Sequence, residues 1–281
     1  MNASRRRIGV CSWSLEARTP AELAERVRAV GVDCLQLALD PLRTGAWSRT
    51  ETSAALSTAG LELRSGMMST VGEDYSTLAT IRVSGGVRPD EHWEANRAAA
   101  SANARLAREL GLGLVSLHAG FLPEESGVER AKLVARLREV VDRFGEHGVR
   151  VAFETGQERA ATLLAFLGEL DRPDAGVNFD PANMLLYDMG APVAALAALA
   201  PWVRQIHVKD ARKTKAPGTW GEEVPVGSGE VDWHGFFEVV VARGLAVDLM
   251  IEREAGNERI ADIRTARARV ERELAARERA R

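Results

Sequence analysis

The sequence predicts a single α/β domain, a closed (β/α)8 TIM barrel, and three observations lead to it. Short β-rich runs alternate with amphipathic helical runs along the chain, and the β-rich runs number eight. Five glycines, Gly31, Gly60, Gly111, Gly148 and Gly244, each stand just past a helical run and before a strand, where a left-handed C-terminal cap belongs. The 281 residues suit the ~250-residue size class of such barrels. No linker-like stretch divides them, so the expected domain is 1–281.

The first strand is expected at Ile8–Trp13, and the first helix at Pro20–Val30, with Thr19 as N-cap and proline at the first helical position. Strands follow at Asp33–Leu39 and Leu61–Met67. A long connection, Met68–Glu91, then leads into a helix at Glu91–Leu110. Next come strand Gly113–His118, helix Val128–His147, strand Arg150–Glu154, helix Arg159–Leu170, and strands Gly176–Asp180 and Val203–Lys209. A second long connection, Asp210–Val231, precedes helix Trp233–Arg243, for which Asp232 is the expected N-cap. Strand Val247–Glu252 and helix Asn257–Arg277 complete the series. Both long connections leave strand C-terminal ends, the face on which such barrels carry their active sites.

Composition narrows the function. Thirty-seven basic against 40 acidic residues give a net charge of −3, without the basic excess that nucleic acid or an anionic membrane would attract. The C-terminal Arg264–Arg281 run is interleaved with glutamates at i,i+4 spacing, a pattern of a solvated helix. Cys11 and Cys34 lack CxxC spacing and read as reduced core thiols. No run approaches ~18 apolar residues, and although Ser4-Arg5-Arg6-Arg7 faintly resembles a twin-arginine signal, Glu16 and Arg18 cut the apolar stretch short. The expectation is a cytoplasmic protein acting on a small molecule, with no nucleic-acid or membrane partner and with homo-oligomerisation left open.

Side-chain parity in the later strands carries the chemistry. Val151 and Phe153 oppose Glu154; Val177 and Phe179 oppose Asn178 and Asp180; Ile206 and Val208 oppose Gln205, His207 and Lys209; Leu249 and Ile251 oppose Met250 and Glu252. Helices cover the outside of a barrel, so the apolar set belongs there and the polar set points inward. Glu154, Asp180, His207 and Glu252 therefore end four successive strands on the inward face. Strands ~4.8 Å apart let such ends converge on one ion. Three carboxylates and an imidazole buried together would repel one another and lose hydration, and a divalent cation resolves both problems. Oxygen and nitrogen donors suit Mn²⁺, Mg²⁺, Co²⁺ or Zn²⁺.

The runs Phe153-Glu154-Thr155-Gly156, Asn178-Phe179-Asp180-Pro181-Ala182-Asn183, Ile206-His207-Val208-Lys209-Asp210, Val224 to Trp233 and Ile251-Glu252-Arg253 resemble the xylose isomerase-like TIM-barrel superfamily of sugar phosphate isomerases and epimerases. The resemblance covers nearly the whole chain. It implies the same barrel, one divalent metal on the same four residues, and acid–base roles for Glu154 and Glu252, as in the family's ketose 3-epimerases. Family epimerases often carry a histidine three residues after the strand-six aspartate; here Asn183 can contact substrate but cannot transfer a proton. His118 and Lys209, inward by parity, join Asn183 and Arg253 as substrate-binding candidates.

The expected reaction is proton abstraction beside a carbonyl through an enediolate, making the protein a metal-dependent sugar isomerase or epimerase. The alternative is a dehydratase of a polyol-derived ketone such as an inosose or dehydroshikimate. A distant one is an endonuclease IV-like hydrolase, which would need further histidines where this chain has Met67, Met68 and Asn183. Such barrels commonly seat phosphate after strands seven and eight, but here the glycines at 218, 221, 227 and 229 are interleaved with Glu222, Glu223 and Glu230, and Gly256 lies between Glu254 and Glu258. These carboxylates oppose a phosphate. The expected substrate is a neutral sugar or polyol-derived ketone, so parallel kinetics should give the higher kcat/KM for the free member of each free and phosphorylated ketose pair. A clear preference for the phosphorylated member contradicts this.

Overall fold

The computed structural model describes residues 6–216 and 218–279. Ten strands occur in it, in chain order β1 (Ile8–Cys11), β2 (Cys34–Ala38), β3 (Glu62–Met67), β4 (Leu114–Leu117), β5 (Arg150–Glu154), β6 (Ala175–Phe179), β7 (Val203–Val208), β8 (Asp210–Arg212), β9 (Glu222–Val224) and β10 (Asp248–Ile251). Eight of them close a parallel barrel in the order β1, β10, β7, β6, β5, β4, β3, β2, and β8 and β9 form a separate antiparallel hairpin. The eight barrel strands lie where the alternation placed them, with ends displaced by at most two residues. Trp13 is the largest such change: the chain leaves β1 in a 3-10 turn, Ser12–Leu15, which carries Trp13 over the barrel mouth. Ser4 and Arg5, and the last residues of the C-terminal basic run, lie outside the described residues.

The six expected helices form at Pro20–Ala29, Asp90–Glu109, Val128–Gly145, Ala160–Leu170, Trp233–Ala242 and Arg259–Glu278. Their punctuation is as expected: Thr19 accepts from Glu22 N at 3.2 Å, Asp232 from Gly235 N at 3.0 Å, and the five cap glycines all have φ between 62° and 80°. Further helices occur at Asp40–Arg43, Arg49–Thr58, Leu78–Ser84, Pro181–Leu186 and Pro192–Leu199. Arg49–Thr58 buries only Thr52 and Leu56, and Pro192–Leu199 has no polar face, so neither imposes a helical period on the sequence. The C-terminal pairs Arg267–Glu271, Arg269–Glu273 and Arg277–Glu273 are formed at 2.7–2.9 Å. No helix among the described residues is long and apolar enough to cross a membrane.

The two faces of the sheet separate as parity requires. Val151, Phe153, Val177, Phe179, Ile206, Val208, Leu249 and Ile251 pack outward into one core with helix side chains such as Leu133, Leu137, Phe166 and Phe236. Inside, Gln36, Ser65, Ser116, Asn178, Gln205 and His207 are all buried and linked by hydrogen bonds. Register sets the levels. Glu154 pairs with Asn178, Asn178 with Gln205, and His207 with Met250, so Glu154 and His207 arrive near the barrel mouth while Asp180 and Glu252 follow immediately after their strands.

The second long connection is organised by Asp210. One carboxylate oxygen accepts from Ala211 N and Val231 N at 2.9 and 3.2 Å, and the other from Gly227 N, Gly229 N and Trp233 Nε1 at 2.8, 3.3 and 2.9 Å. Gly229 is required by this approach, since a Cβ there would stand 2.1 Å from Asp210 Oδ1. Removing a buried acceptor from five donors leaves several unsatisfied at roughly 1–3 kcal/mol each. Asp210→Ala should therefore lower the unfolding free energy by at least about 3 kcal/mol, read from urea denaturation. An unchanged midpoint would show that the hairpin loop holds itself.

Candidate metal centre

Four side chains meet at the C-terminal mouth of the barrel. His207 Nδ1 lies 3.4 Å from Glu154 Oε1, 3.4 Å from Glu252 Oε2 and 3.8 Å from Asp180 Oδ2. One donor atom from each of the four falls within 4.8 Å of every other. Donors ~2.0–2.2 Å from a shared cation stand roughly 3–4.4 Å apart, so the spacing suits an ion with slight contraction.

Local structure aims each group. Asp180 caps the helix Pro181–Leu186: its Oδ1 accepts from Ala182 N and Asn183 N at 2.7 and 2.9 Å, which turns Oδ2 toward the cluster. Glu154 accepts from Asn183 Nδ2 on Oε1 and from Asn178 Nδ2 on Oε2, at 2.9 and 3.1 Å. Trp13 Nε1 donates to Glu252 Oε1 at 2.6 Å. Lys209 Nζ stands 3.0 Å from Glu252 Oε2 and also pairs with Glu254.

Asp180 Oδ2 and His207 Nδ1 are buried and have no hydrogen-bond partner, and Glu252 Oε2 has only the Lys209 ammonium. These atoms are the ones that face each other, and buried polar atoms without partners are rare. The donor set and its orphans therefore fit a divalent cation. The charges lead to the same fit. Burial pushes Asp180 up to about 6 against the pull of His207 and Lys209. Burial acts the same way on Glu252, but Lys209 and His207 outweigh it and hold this carboxyl well below its ordinary value. Glu154 is opposed by burial and lowered by His207 and His118. Burial raises the neighbouring Cys11 thiol to about 12, so it lies under the imidazole as a neutral group.

Above the cluster opens a cavity of about 490 Å³, the size of a small-molecule site. Glu154 and Glu252 form part of its floor; Trp13, Tyr75, Tyr187 and Trp220 supply aromatic walls; Glu73, Glu223 and Glu254 add carboxylates. Of the substrate-binding candidates, His118, Asn183 and Lys209 line the cavity, with His118 Nε2 3.8 Å from Glu154 Oε1. Arg253 does not. It follows Glu252 and so has the opposite parity, and its guanidinium binds Glu223 at 2.8 Å and Asp262 at 2.9 Å behind the wall. Lys209 pairs with Glu252 and Glu254, and the carboxylate of its neighbour Asp210 is held by the loop. His147 and His234 lie at helix ends, and His234 pairs with Glu238 at 3.1 Å.

Trp13, Gln36, Glu73 and Trp220 belong to the site's surroundings and were not singled out by the sequence, while Glu223 and Glu254 were read from it only as carboxylates opposing a phosphate. Gln36 carried a usable signal, since it alternates with outward Leu35 and Leu37 as the inward residues of the later strands do. Trp13 lies in a 3-10 turn and Glu73 and Trp220 in loops, where no parity exists to expose them.

The sequence model of the xylose isomerase-like TIM barrel family matches residues 20–277. Among solved structures, a xylose isomerase domain protein from Planctomyces limnophilus is 30% identical over 97% of each chain, with a TM-score of 0.85. A probable 3-DHS dehydratase from Bacillus anthracis is 20% identical, covering 93% of this chain and 97% of its own, at a TM-score of 0.70. An L-ribulose 3-epimerase is 16% identical, covering 98% and 96%, at 0.73. No curated protein matches the chain.

In the loop after β5, Glu158 is buried with no hydrogen bond or ion pair among the described residues, and burial raises it to about 8 from an ordinary value of 4.5. Between those two values the folded group keeps its proton while the unfolded one has lost it, so unfolding releases a proton and stability falls as pH rises. Glu158→Gln should flatten the stability profile between pH 4.5 and 8 and raise the melting temperature most at pH 8. Parallel wild-type and variant profiles would contradict this.

Proposed function

Because the chain belongs to the xylose isomerase-like TIM barrel family, we propose that it is a metal-dependent isomerase or epimerase of a neutral sugar or polyol-derived hydroxyketone. One observation carries the reading: buried donor atoms of Asp180, His207 and Glu252 converge beneath a cavity whose floor holds two carboxylates, Glu154 and Glu252. Glu154, Asp180, His207 and Glu252 would hold one divalent ion, Mn²⁺, Mg²⁺, Co²⁺ or Zn²⁺. Such an ion, when bound, supplies a Lewis acid for two vicinal oxygens of a hydroxyketone and so lowers the cost of the enediolate.

The chain's own groups do the rest. Glu154 or Glu252 takes the proton from the carbon beside the carbonyl, each held in orientation by its Asn183 and Asn178 or Trp13 hydrogen bonds. Return of the proton to the opposite face gives an epimer, and return to the neighbouring carbon gives the aldose or ketose isomer. His118 and Lys209 stand where substrate oxygens would be met, and the aromatic walls keep water from the reacting carbon. Glu73 and Glu254 at the cavity, with Lys209 already shared between Glu252 and Glu254, favour an uncharged substrate over a phosphate ester. The same charge weighs against a phosphodiester. A second reading, loss of water from the same enediolate, is favoured by Lys209, an ammonium lining the cavity that could hydrogen-bond a leaving hydroxyl.

Metal titration of the apoprotein should find one tight site, abolished in Asp180→Ala. Glu154→Gln and Glu252→Gln should each lower turnover on the best ketose by at least about 10²-fold, with metal content measured beside activity. Full turnover in both variants would remove them as the proton-transfer pair, and wild-type protein that binds none of the four ions would remove the metal.

A further inference from the structure

We infer that Gln36 is a positioning residue that keeps a hydrogen of His207 on Nε2, so that the neutral ring presents the Nδ1 lone pair to the cluster; its value for ligation rests on the metal reading above. Gln36 lies on β2, fully buried inside the barrel and across it from β7. Its amide nitrogen stands 3.2 Å from Gly66 O and 2.7 Å from Ser116 Oγ. A backbone carbonyl can only accept, so the nitrogen must occupy that side and the oxygen must face β7.

There Oε1 accepts from Gln205 Nε2 at 2.8 Å and stands 2.7 Å from His207 Nε2. Gln205 is oriented in turn, since its own Oε1 accepts from Ser65 Oγ at 2.5 Å and its nitrogen reaches Asn178 Oδ1 at 3.3 Å. Every donor in this chain points one way. An amide oxygen has no hydrogen to give, so the hydrogen between Gln36 and His207 belongs to Nε2. Asn178 Nδ2 also lies 2.9 Å from Nε2 and gives one of its two hydrogens to Glu154 Oε2; Gln36 Oε1, at 2.7 Å, is the nearer neighbour of Nε2 and the one that can only accept. Nδ1 is left as the orphan that faces Glu154, Asp180 and Glu252.

An outer hydrogen bond of this kind fixes both the tautomer and the ring plane of a ligating imidazole, and its loss typically weakens metal binding 10–100-fold. The test uses calorimetric titration of full-length apoprotein with Mn²⁺. Gln36→Met removes the acceptor at nearly constant length and should raise Kd by about 10–100-fold; Gln36→Glu, which keeps an acceptor, should stay with the wild type. Equal affinity in wild type and Gln36→Met overturns the proposal. So does equal loss in both variants, which marks a packing defect. The wild type itself supplies a second measurement: imidazole ¹⁵N NMR should find a hydrogen on His207 Nε2 with or without Mg²⁺. A bare Nε2 overturns the proposal whatever the variants do. Wild-type protein that binds no Mn²⁺ but keeps the Nε2 hydrogen would instead remove the metal and leave Gln36's role intact.

Discussion

Three carboxylates and an imidazole are buried together at the mouth of the barrel, and much of the surrounding structure answers the electrostatic problem they create. Each carboxylate is partly satisfied by a different neutral or cationic donor: backbone amides on Asp180, two side-chain amides on Glu154, an indole on Glu252. Lys209 adds one positive charge. Burial works against that charge, but Glu252 and Glu254 outweigh it and hold Lys209 well above its ordinary value. One ammonium shared between two glutamates cannot also balance Asp180 and Glu154. The remaining deficit is what makes a divalent ion the physical complement of the cluster.

The supports reach well beyond the cluster. Below it, the barrel interior is filled by oriented amides and hydroxyls where an ordinary core would place branched aliphatics. Above it, Ile81, Phe121 and Tyr187 pack together with Leu186, Met189 and Trp220. Tyr187 meets Phe121 and Trp220 edge-on, with ring centroids 5.7 and 4.9 Å away. Those residues come from the connections after β3, β4, β6 and β7, so one aromatic cluster ties four loops into a wall. Asp210 fixes the last of these loops from inside, and Arg253 braces the wall from behind through Glu223. Polar order below and aromatic order above leave the cavity floor little freedom.

This division explains what could be read from the sequence. The barrel strands and the four donors were legible because strand geometry has a strict period of two, and in β5, β6, β7 and β10 the apolar residues keep to one phase. The caps at Thr19 and Asp232 were legible because each is a local chemical event. The β8–β9 hairpin was not: its strands are three residues long, mostly charged, and separated by a stretch rich in glycine and proline. Trp13 and Trp220 were hidden for a related reason, since residues in turns have no periodic neighbours to betray their direction. Arg253 was a substrate-binding candidate, whereas the alternation that aimed Glu252 inward aims the next residue out.

The same contacts make the two floor carboxylates unequal. Glu154 touches amides and two imidazoles, while Glu252 lies against a buried ammonium and is held well below its ordinary value. Asn183 accentuates the difference. Its amide nitrogen binds Glu154, and its oxygen lies 3.4 Å from Lys209 Nζ, so it spans the two halves of the site without being able to carry a proton between them. A pair of interchangeable bases would need matched surroundings. On the proposed reading, Glu154 is the better proton acceptor and the Lys209 ammonium beside Glu252 the better place to stabilise a negative oxygen, which gives the reaction a built-in direction across the bound ketone.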